Sequence, residues 1–312
     1  MSEPERPSPA YERLSFRWFN AFGPRLPRVE PPEPPAHLEP FETVAIPRPG
    51  RRGRLAGTWF PADGRRAVRR SGRAGGARGA VLLLPPWMEW GRAYFHRRGR
   101  LQALRQAGYH ALTLDFPGRG GSGPVAGFLD RDVEDGLRYL KERAAGLPVH
   151  VWGVSVGGYW AHMTLSRTNG VRGAMFEDVT PHLFEWSSRV MPVAGPARFV
   201  FRNVFARSYR YFDLRRHAPA LRVARTAYVS GMRDPGVRPR DTRELAGLAG
   251  GEVKIVPRAG HLESIKLATE EVVELALGTF AAAEGGGATA PLRSPACALS
   301  LGSAAGALPG RA

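Results

Sequence analysis

The sequence predicts an α/β fold with a mostly parallel central sheet, helices on both of its faces and a short helical cap inserted between two late strands. Continuous apolar runs such as GAVLLLP at 79–85 and VHVWGV at 149–154 are typical of strands that are buried on both faces. These runs alternate with segments of helical pattern, as in parallel sheets covered by helices. A stretch at about 180–222 interrupts the alternation and exceeds a usual connection.

The predicted elements follow one another in a regular order after an opening hairpin. FETVAI at 41–46 and GRLAGTWF at 53–60 are the two opening strands, and GAVLLLP is the third strand. Later strands are predicted at YHALTLDF (109–116), VHVWGV (149–154), GAMFEDV (173–179), TAYVSG (226–231) and EVKIVP (252–257). Helices are predicted at about 95–106, 131–144, 157–167 and 263–282.

The insert at about 180–222 is rich in aromatic side chains, and two interpretations of them stay open. In one, the rings only pack the insert onto the body of the protein. In the other, the insert caps an active site and some rings face the substrate, which is the interpretation that we favour. The aromatic residues are Phe184, Trp186, Phe199, Phe201, Phe205, Tyr209, Tyr211 and Phe212.

Composition divides the chain into three regions. Residues 1–40 are rich in proline and are predicted to form a disordered arm without a packed fold of its own, although 11–22 has the pattern of a short helix. Residues 41–282 form the folded domain, with the cap insert at about 180–222. Residues 283–312 are rich in alanine and glycine and are predicted to be a disordered tail.

The chain carries 45 basic and 28 acidic residues, for a formal net charge of +17. Only Lys141, Lys254 and Lys266 are lysines, and such an excess of arginine is what a GC-rich coding sequence would produce. The functional alternative is attraction to nucleic acid or to an anionic lipid surface. The arginines are scattered and match no nucleic-acid-binding motif, so no specific nucleic-acid partner is predicted.

The sequence also bears on the cellular compartment and on the kinds of metal site that the chain could form. Cys297 is the only cysteine, which excludes an intrachain disulfide and a cysteine-based metal site. No apolar run is long enough to span a membrane, and the first residues lack the apolar core of a secretory signal. A cytoplasmic location is therefore expected. The sequence does not indicate an oligomeric state.

Residues 153–157 (Gly-Val-Ser-Val-Gly) lie between a predicted buried strand and a predicted helix. In this context G-x-S-x-G is a nucleophile elbow, a sharp turn that projects the serine above the sheet. Larger side chains at 153 and 157 would collide in such a turn, which explains the two glycines. The start of the helix also offers free N–H groups to developing negative charge. Ser155 is therefore the candidate nucleophile.

With this motif the chain, over roughly 41–282, resembles the α/β-hydrolase superfamily, in which a serine is followed by an acid and then a histidine. The resemblance implies Asp234, in SGMRDPG after a strand, as the acid and His261, in PRAGHLES after the last strand, as the base. Asp115, in DFPGRGGS, matches a loop that is structural in the family. All three candidate catalytic residues follow strands at the edge where parallel sheets place their sites.

Asp178 is a competitor for the role of the acid. It too follows a parallel strand, in FEDVTP, and some family members take their acid from that position. We favour Asp234 because it lies in a short loop whose glycines and proline suit a tight turn. Asp178 opens the cap insert, and Glu177 beside it suggests an entrance or a hinge.

The resemblance also implies an oxyanion hole made of two N–H donors. One is the backbone N–H of Val156, next to the nucleophile. The other normally follows the third strand, but here Pro85 and Pro86 have no N–H. Trp87 is the first residue able to donate and Met88 is the alternative. Residues expected to contact substrate are Met88, Trp90, Phe184 and Trp186.

Together these observations predict a serine hydrolase that cleaves a carboxylic ester or a related acyl bond of an apolar small molecule through an acyl-enzyme. Neither a metal nor an organic cofactor is needed for this chemistry. Two alternatives remain: a non-catalytic binding protein of the same fold, suggested by Pro85-Pro86, and a binder of nucleic acid or anionic surfaces, suggested only by charge. The sequence does not choose among ester, thioester, amide and carbon–carbon bonds.

Overall fold

The computed structural model describes residues 6–22, 29–63, 76–87, 91–190 and 194–285. Within these ranges, an eight-stranded sheet forms the centre of the molecule, in the order β1-β2-β4-β3-β5-β6-β7-β8. The strands are β1 Glu42–Pro47, β2 Arg54–Phe60, β3 Gly79–Leu84, β4 Tyr109–Leu114, β5 Val149–Val154, β6 Gly173–Glu177, β7 Arg225–Gly231 and β8 Glu252–Val256.

The pairing of the strands confirms the predicted mostly parallel sheet. β1 and β2 form the opening antiparallel hairpin, and β2 also pairs antiparallel with β4. From β4 across to β8 every neighbouring pair is parallel. β3 and β5 are buried at every position, as their apolar sequences require. The carboxyl ends of these parallel strands lie at one edge of the sheet.

Helices cover both faces of the sheet, also as predicted. The helices are α1 Pro9–Phe22, α2 Arg100–Gln106, α3 Asp130–Arg143, α4 Val156–Leu165, α5 Leu183–Val190, α6 Ala194–Val204, α7 Ala206–Tyr211, α8 Leu214–His217, α9 Pro239–Ala249, α10 Ser264–Leu267 and α11 Thr269–Ala283. On one face, α3, α4 and α9 bury side chains such as Leu137, Tyr159 and Leu245. On the other face, α2 and α11 bury Leu104 and Phe280, so each face has its own apolar core.

The cap consists of α5 to α8, between the neighbouring strands β6 and β7. Most of its aromatic side chains pack together and onto the body. Phe184 packs against Phe201 with ring centroids 4.4 Å apart, and Phe212 contacts Trp160 of α4 at 5.8 Å. These rings therefore pack the insert onto the body of the protein, as in the first of the two interpretations.

The predicted disordered arm differs from the structure, because its first helix is packed. Glu12 and Ser15 of α1 are buried, and the Glu12 carboxylate accepts a hydrogen bond from the backbone N–H of Phe128. Ser208 of the cap donates a hydrogen bond to Ser15, with 2.9 Å between the oxygens. The proline-rich composition indicated too little apolar burial to hold this segment in place. In the structure, polar contacts with residues distant in sequence anchor it instead.

Contacts with the body of the protein continue slightly past residue 283. Glu284 accepts hydrogen bonds from the Tyr109 hydroxyl at 2.6 Å and from Arg78 at 2.9 Å, so the body of the protein extends at least to this residue. From residue 286 onward, the predicted tail lies outside the described residues.

Asp130, at the start of α3, is the buried centre of the contacts that attach the arm. It pairs with Arg6 at 2.8 Å and Arg167 at 2.7 Å, and it accepts a hydrogen bond from Tyr211 at 2.6 Å. Asp130→Ala is expected to lower the free energy of unfolding by at least about 3 kcal/mol, because it removes the fully buried carboxylate that both arginines and the Tyr211 hydroxyl share. Glu134→Ala is the control, since Glu134 pairs with the same Arg167 but is more exposed, and its loss should cost less than about 1 kcal/mol. Urea denaturation measures both, and equal losses would contradict this account.

Candidate active site

Ser155 lies at the tight turn between β5 and α4. Its backbone φ is +50°, a value that L-residues rarely adopt, and its N–H donates to the Glu177 carbonyl at 2.7 Å. A Cβ added at Gly153 would overlap the backbone of Gly158, and one at Gly157 would overlap the Leu84 carbonyl. The two glycines of the motif are therefore required by close backbone approach, as the elbow predicts.

The structure brings Ser155, His261 and Asp234 into one hydrogen-bonded chain. Ser155 Oγ lies 3.1 Å from His261 Nε2, and His261 Nδ1 lies 2.6 Å from Asp234 Oδ2. These distances are within the hydrogen-bonding range that a nucleophile, its base and an orienting acid require. The loops that carry the acid and the base are tied together, because the Arg233 N–H donates to the Ala259 carbonyl at 2.8 Å.

The Asp234 carboxylate is held in place by its own loop. Its Oδ1 accepts hydrogen bonds from the backbone N–H groups of Gly236 at 2.8 Å and Val237 at 2.9 Å. Its Oδ2 remains directed at His261. The loop thus holds one carboxylate oxygen, and the other accepts the hydrogen bond of the imidazole, as the short SGMRDPG loop led us to expect.

Asp178 lies beside this chain without a hydrogen bond to the imidazole ring in the structure. Its Oδ2 accepts a hydrogen bond from the Leu262 N–H at 2.8 Å, while its Oδ1 is buried without a hydrogen-bond partner. Burial, together with the charges of Glu177 and Asp234, raises the pKa of Asp178. Asp178 thus binds the backbone of the histidine loop, whereas Asp234 binds the histidine itself.

These three side chains are also close enough to be considered as metal ligands. One ligand atom from each of Asp178, Asp234 and His261 lies within 4.8 Å of the others. Asp234 is already hydrogen-bonded to His261, and Asp178 to the Leu262 N–H, an arrangement that suits acid–base chemistry.

Glu177 has a role that the sequence did not reveal. It was expected at an entrance or a hinge, but it is fully buried and pairs with Arg100, which is also fully buried, at 2.6 Å. The Trp152 indole N–H lies within 3.4 Å of the same carboxylate. Buried charges need such partners, and this pair fixes the end of β6 beneath the elbow. Arg100 is 77 residues away in sequence, so no local pattern indicated the pairing.

The pKa of His261 is raised above its ordinary value of 6.5. Burial opposes protonation, but the hydrogen bond and charge of Asp234 outweigh it, with smaller contributions from Asp178 and Glu177. The neighbouring carboxylates therefore stabilise the imidazolium that forms when the histidine takes a proton.

We expect the pH profile to follow this shift if His261 acts as the base. The base must be neutral, so kcat/KM should fall as the pH drops through the pKa of His261, with a midpoint above 6.5 and about tenfold loss per unit below it. Initial rates on a soluble ester, measured from acid to neutral pH, test this. A rate that is independent of pH across this range, with chemistry shown to be rate-limiting, would contradict a histidine base.

The turn after β3, which follows directly on Leu84, approaches the elbow that carries the first predicted oxyanion donor. Val156 is the first residue of α4, where N–H groups have no acceptor within the helix. A Cβ at Gly157 would overlap the carbonyls of Leu84 and Pro85, so the start of this turn lies against the elbow, two residues before Trp87. Trp87 is half-buried, with the Arg119 guanidinium 4.4 Å from its ring centroid. Met88 and Trp90 lie outside the described residues.

The two cap residues predicted to contact substrate are placed differently. Phe184 is buried in the aromatic packing of the cap, which favours a structural role. The Trp186 ring lies 5.9 Å from the His261 ring and is partly exposed, so it borders the candidate catalytic chain. Of the two, only Trp186 lies beside His261.

Asp115 has the structural role that its loop suggested. Its buried carboxylate accepts hydrogen bonds from the Arg92 N–H at 2.7 Å and the Gly121 N–H at 3.3 Å. It also pairs with the Arg92 guanidinium. These bonds hold the loop after β4 in place.

Comparison with known proteins identifies the family. Residues 81–275 match the model of the alpha/beta hydrolase family, and because this is more than half of the chain, the protein belongs to that family. The predicted resemblance is thereby confirmed. No curated protein matches the sequence.

Solved structures share the fold at low sequence identity. An esterase from Pyrococcus furiosus, Pf2001, is 20% identical with a TM-score of 0.64, over 82% of this chain and 96% of that one. A puromycin-hydrolyzing peptidase of Mycobacterium tuberculosis is 17% identical with a TM-score of 0.61, over 80% of this chain and 40% of that one. An esterase from Exiguobacterium antarcticum is 15% identical with a TM-score of 0.52, over 74% and 97%. In the part of the chain that the structure describes, no helix has the length and apolarity to cross a membrane.

Proposed function

We propose that the protein is a serine hydrolase that cleaves a carboxylic ester or a related acyl bond of an apolar small molecule. The observation that carries this proposal is the chain of hydrogen bonds from Ser155 through His261 to Asp234. Similarity in fold to two esterases and a peptidase is consistent with acyl-transfer chemistry.

The proposed reaction has two steps. Ser155 Oγ attacks the substrate carbonyl as His261 Nε2 takes its proton, and the alcohol leaves with that proton to give an acyl-enzyme. Water, deprotonated by the same histidine, then releases the acid and restores Ser155. Asp234 keeps the proton of the imidazole on Nδ1 and stabilises the imidazolium in both steps.

The charge that develops on the carbonyl oxygen would be stabilised by backbone N–H groups. The Val156 N–H at the start of α4 supplies one donor, and Trp87 is our candidate for the second. Because Pro85 and Pro86 cannot donate, Trp87 is the first residue after β3 that can contribute. The positive end of the α4 dipole lies at the same helix terminus as this N–H and also stabilises negative charge there.

The substrate is expected to carry an apolar acyl group of medium length. Trp186 beside His261 supports this expectation, and Trp87 in the turn after β3 would add apolar surface if it borders the cleft. Each buried methylene should raise kcat/KM about fourfold until the cleft is filled. A series of p-nitrophenyl esters of increasing acyl length measures this dependence.

Trp186→Ala should flatten the dependence on acyl length if this ring lines the cleft. Phe199→Ser is the matched control, because Phe199 lies on the same cap but is 71% exposed. An unchanged dependence in Trp186→Ala, or highest activity on acetate in the wild type, would contradict the apolar acyl site.

A further inference from the structure

The cap has an outer surface that exposes large apolar side chains. Phe199 is 71% exposed and Val204 is 62% exposed, both on α6. Arg202 and Asn203, three and four residues after Phe199, are exposed with it on the same side of the helix. A phenylalanine this accessible is unusual on a cap that buries most of its other rings, so an apolar partner would stabilise this surface.

The first helix contacts α6 and α7 of the cap. The Tyr11 hydroxyl of α1 donates to the Val204 carbonyl at 3.5 Å, and Ser208 of α7 donates to Ser15 at 2.9 Å. Leu14 lies between these two contacts along the helix and is 52% exposed. Leu14 is therefore an exposed apolar side chain on a helix that contacts α6 and α7.

The helices that carry these apolar side chains also carry positive charge. Exposed arginines on α1, α6 and α7 are Arg13, Arg202, Arg207 and Arg210. α6 and α7 contain no acidic residue, and Glu12 of α1 is buried and paired with Arg6. Glu185, on the neighbouring α5, is paired with Arg215 and Arg189. We call Leu14, Phe199, Val204 and these four arginines the outer cap surface.

We propose that the outer cap surface adsorbs to an anionic lipid membrane. Apolar side chains enter the boundary between headgroups and acyl chains, while arginines contact the lipid phosphates, as in other interfacial helices. A second copy of the chain fits less well, because in a symmetric dimer this arginine-rich surface would face itself. Nucleic acid would use the arginines but not the exposed Phe199, Val204 and Leu14. The proposal does not depend on the proposed hydrolase activity.

Co-sedimentation of the full chain with lipid vesicles tests this proposal. We expect binding to phosphatidylcholine vesicles that contain phosphatidylglycerol and little binding to phosphatidylcholine alone. Replacing Arg202 and Arg207 by glutamate should weaken binding at least about tenfold, because each arginine near an anionic surface contributes about 1 kcal/mol. Phe199→Ser should weaken it several-fold, by removing an apolar side chain from the interface.

Matched controls lie on α9, outside the outer cap surface. Arg240 and Arg243 are exposed there, and their replacement by glutamate changes the net charge by the same amount. Leu248→Ser removes an apolar side chain that is 41% exposed. Both control variants should bind as the wild type does, and hydrolysis of a soluble short ester should be the same in all variants. The ester assay thus distinguishes a variant that has lost membrane binding from one that has lost the proposed activity.

Three outcomes would overturn the proposal. The first is equal binding to vesicles with and without phosphatidylglycerol. The second is an equal loss of vesicle binding in the control and cap variants. Binding that high salt weakens but Phe199→Ser does not has the same meaning, because either result would indicate general attraction between a basic protein and an anionic surface. The third is a dimer that light scattering detects in solution and that Phe199→Ser dissociates, which would assign the surface to a second copy.

Discussion

Ser155→Ala should leave a folded protein whose hydrolytic turnover is lower by at least about a thousandfold, because removing the nucleophile of such a triad abolishes the covalent pathway. The hydroxyl contacts His261 Nε2 at 3.1 Å, and the neighbouring glycines and backbone hydrogen bonds form the turn without it. The melting temperature should therefore change little. Initial rates on an activated ester and a thermal melt provide the two measurements.

Ser187→Ala is the matched control for this variant. Ser187 lies on α5 of the cap, and its hydroxyl donates only to the Phe184 carbonyl, at 3.3 Å. This variant should keep the activity of the wild type. Activity of Ser155→Ala above a few per cent of the wild-type rate would show that another group is the nucleophile.

Asp234→Asn is expected to lower turnover at least about a hundredfold, whereas Asp178→Asn should lower it less than about tenfold. Asp234 accepts the Nδ1 proton of His261, so an amide there would favour the wrong tautomer of the imidazole. Asp178 binds the Leu262 N–H, and an asparagine keeps an oxygen that can accept this bond. In serine proteases, replacing the acid of the triad by its amide lowers turnover about 10⁴-fold.

Both variants must be shown to fold before their rates are compared, and circular dichroism with thermal melts serves this purpose. A large loss in Asp178→Asn with a small loss in Asp234→Asn would transfer the role of the acid to Asp178. Ser155 and His261 would keep their proposed roles in that case.

The central sheet could be predicted because its signals are local. GAVLLLP and VHVWGV are continuous apolar runs, and the G-x-S-x-G turn after the second run fixes where the sheet edge meets a helix. The order of strands along the chain then places residues 178, 234 and 261 at the same edge. Their common position is also why sequence alone left Asp178 as a competitor, and only the side-chain hydrogen bonds distinguish it from Asp234.

Other features depend on contacts that leave no local pattern. Arg100 and Glu177 are both charged residues that a sequence pattern assigns to the surface, yet each makes the burial of the other possible. In the same way, Glu12 and Arg6 in a proline-rich segment gave no sign of their contacts with Phe128 and Asp130. Contacts of this kind decide whether a polar segment packs.

The cap shows what a helical sequence pattern can and cannot predict. Phe184 and Trp186 are two positions apart on α5, so they point to different sides of the helix. The sequence shows that separation but not which side faces the body. The structure places Phe184 among the packed rings and Trp186 beside His261.

Labelling with a fluorophosphonate, followed by mass spectrometry of the digested protein, tests the proposed nucleophile most directly. This probe forms a covalent bond with an activated serine and needs no knowledge of the substrate. We expect one adduct, on the peptide that contains Ser155, and slower labelling at low pH as His261 becomes protonated. An unlabelled protein, or an adduct on a serine outside the 153–157 turn, would contradict the assignment of Ser155 as the activated nucleophile.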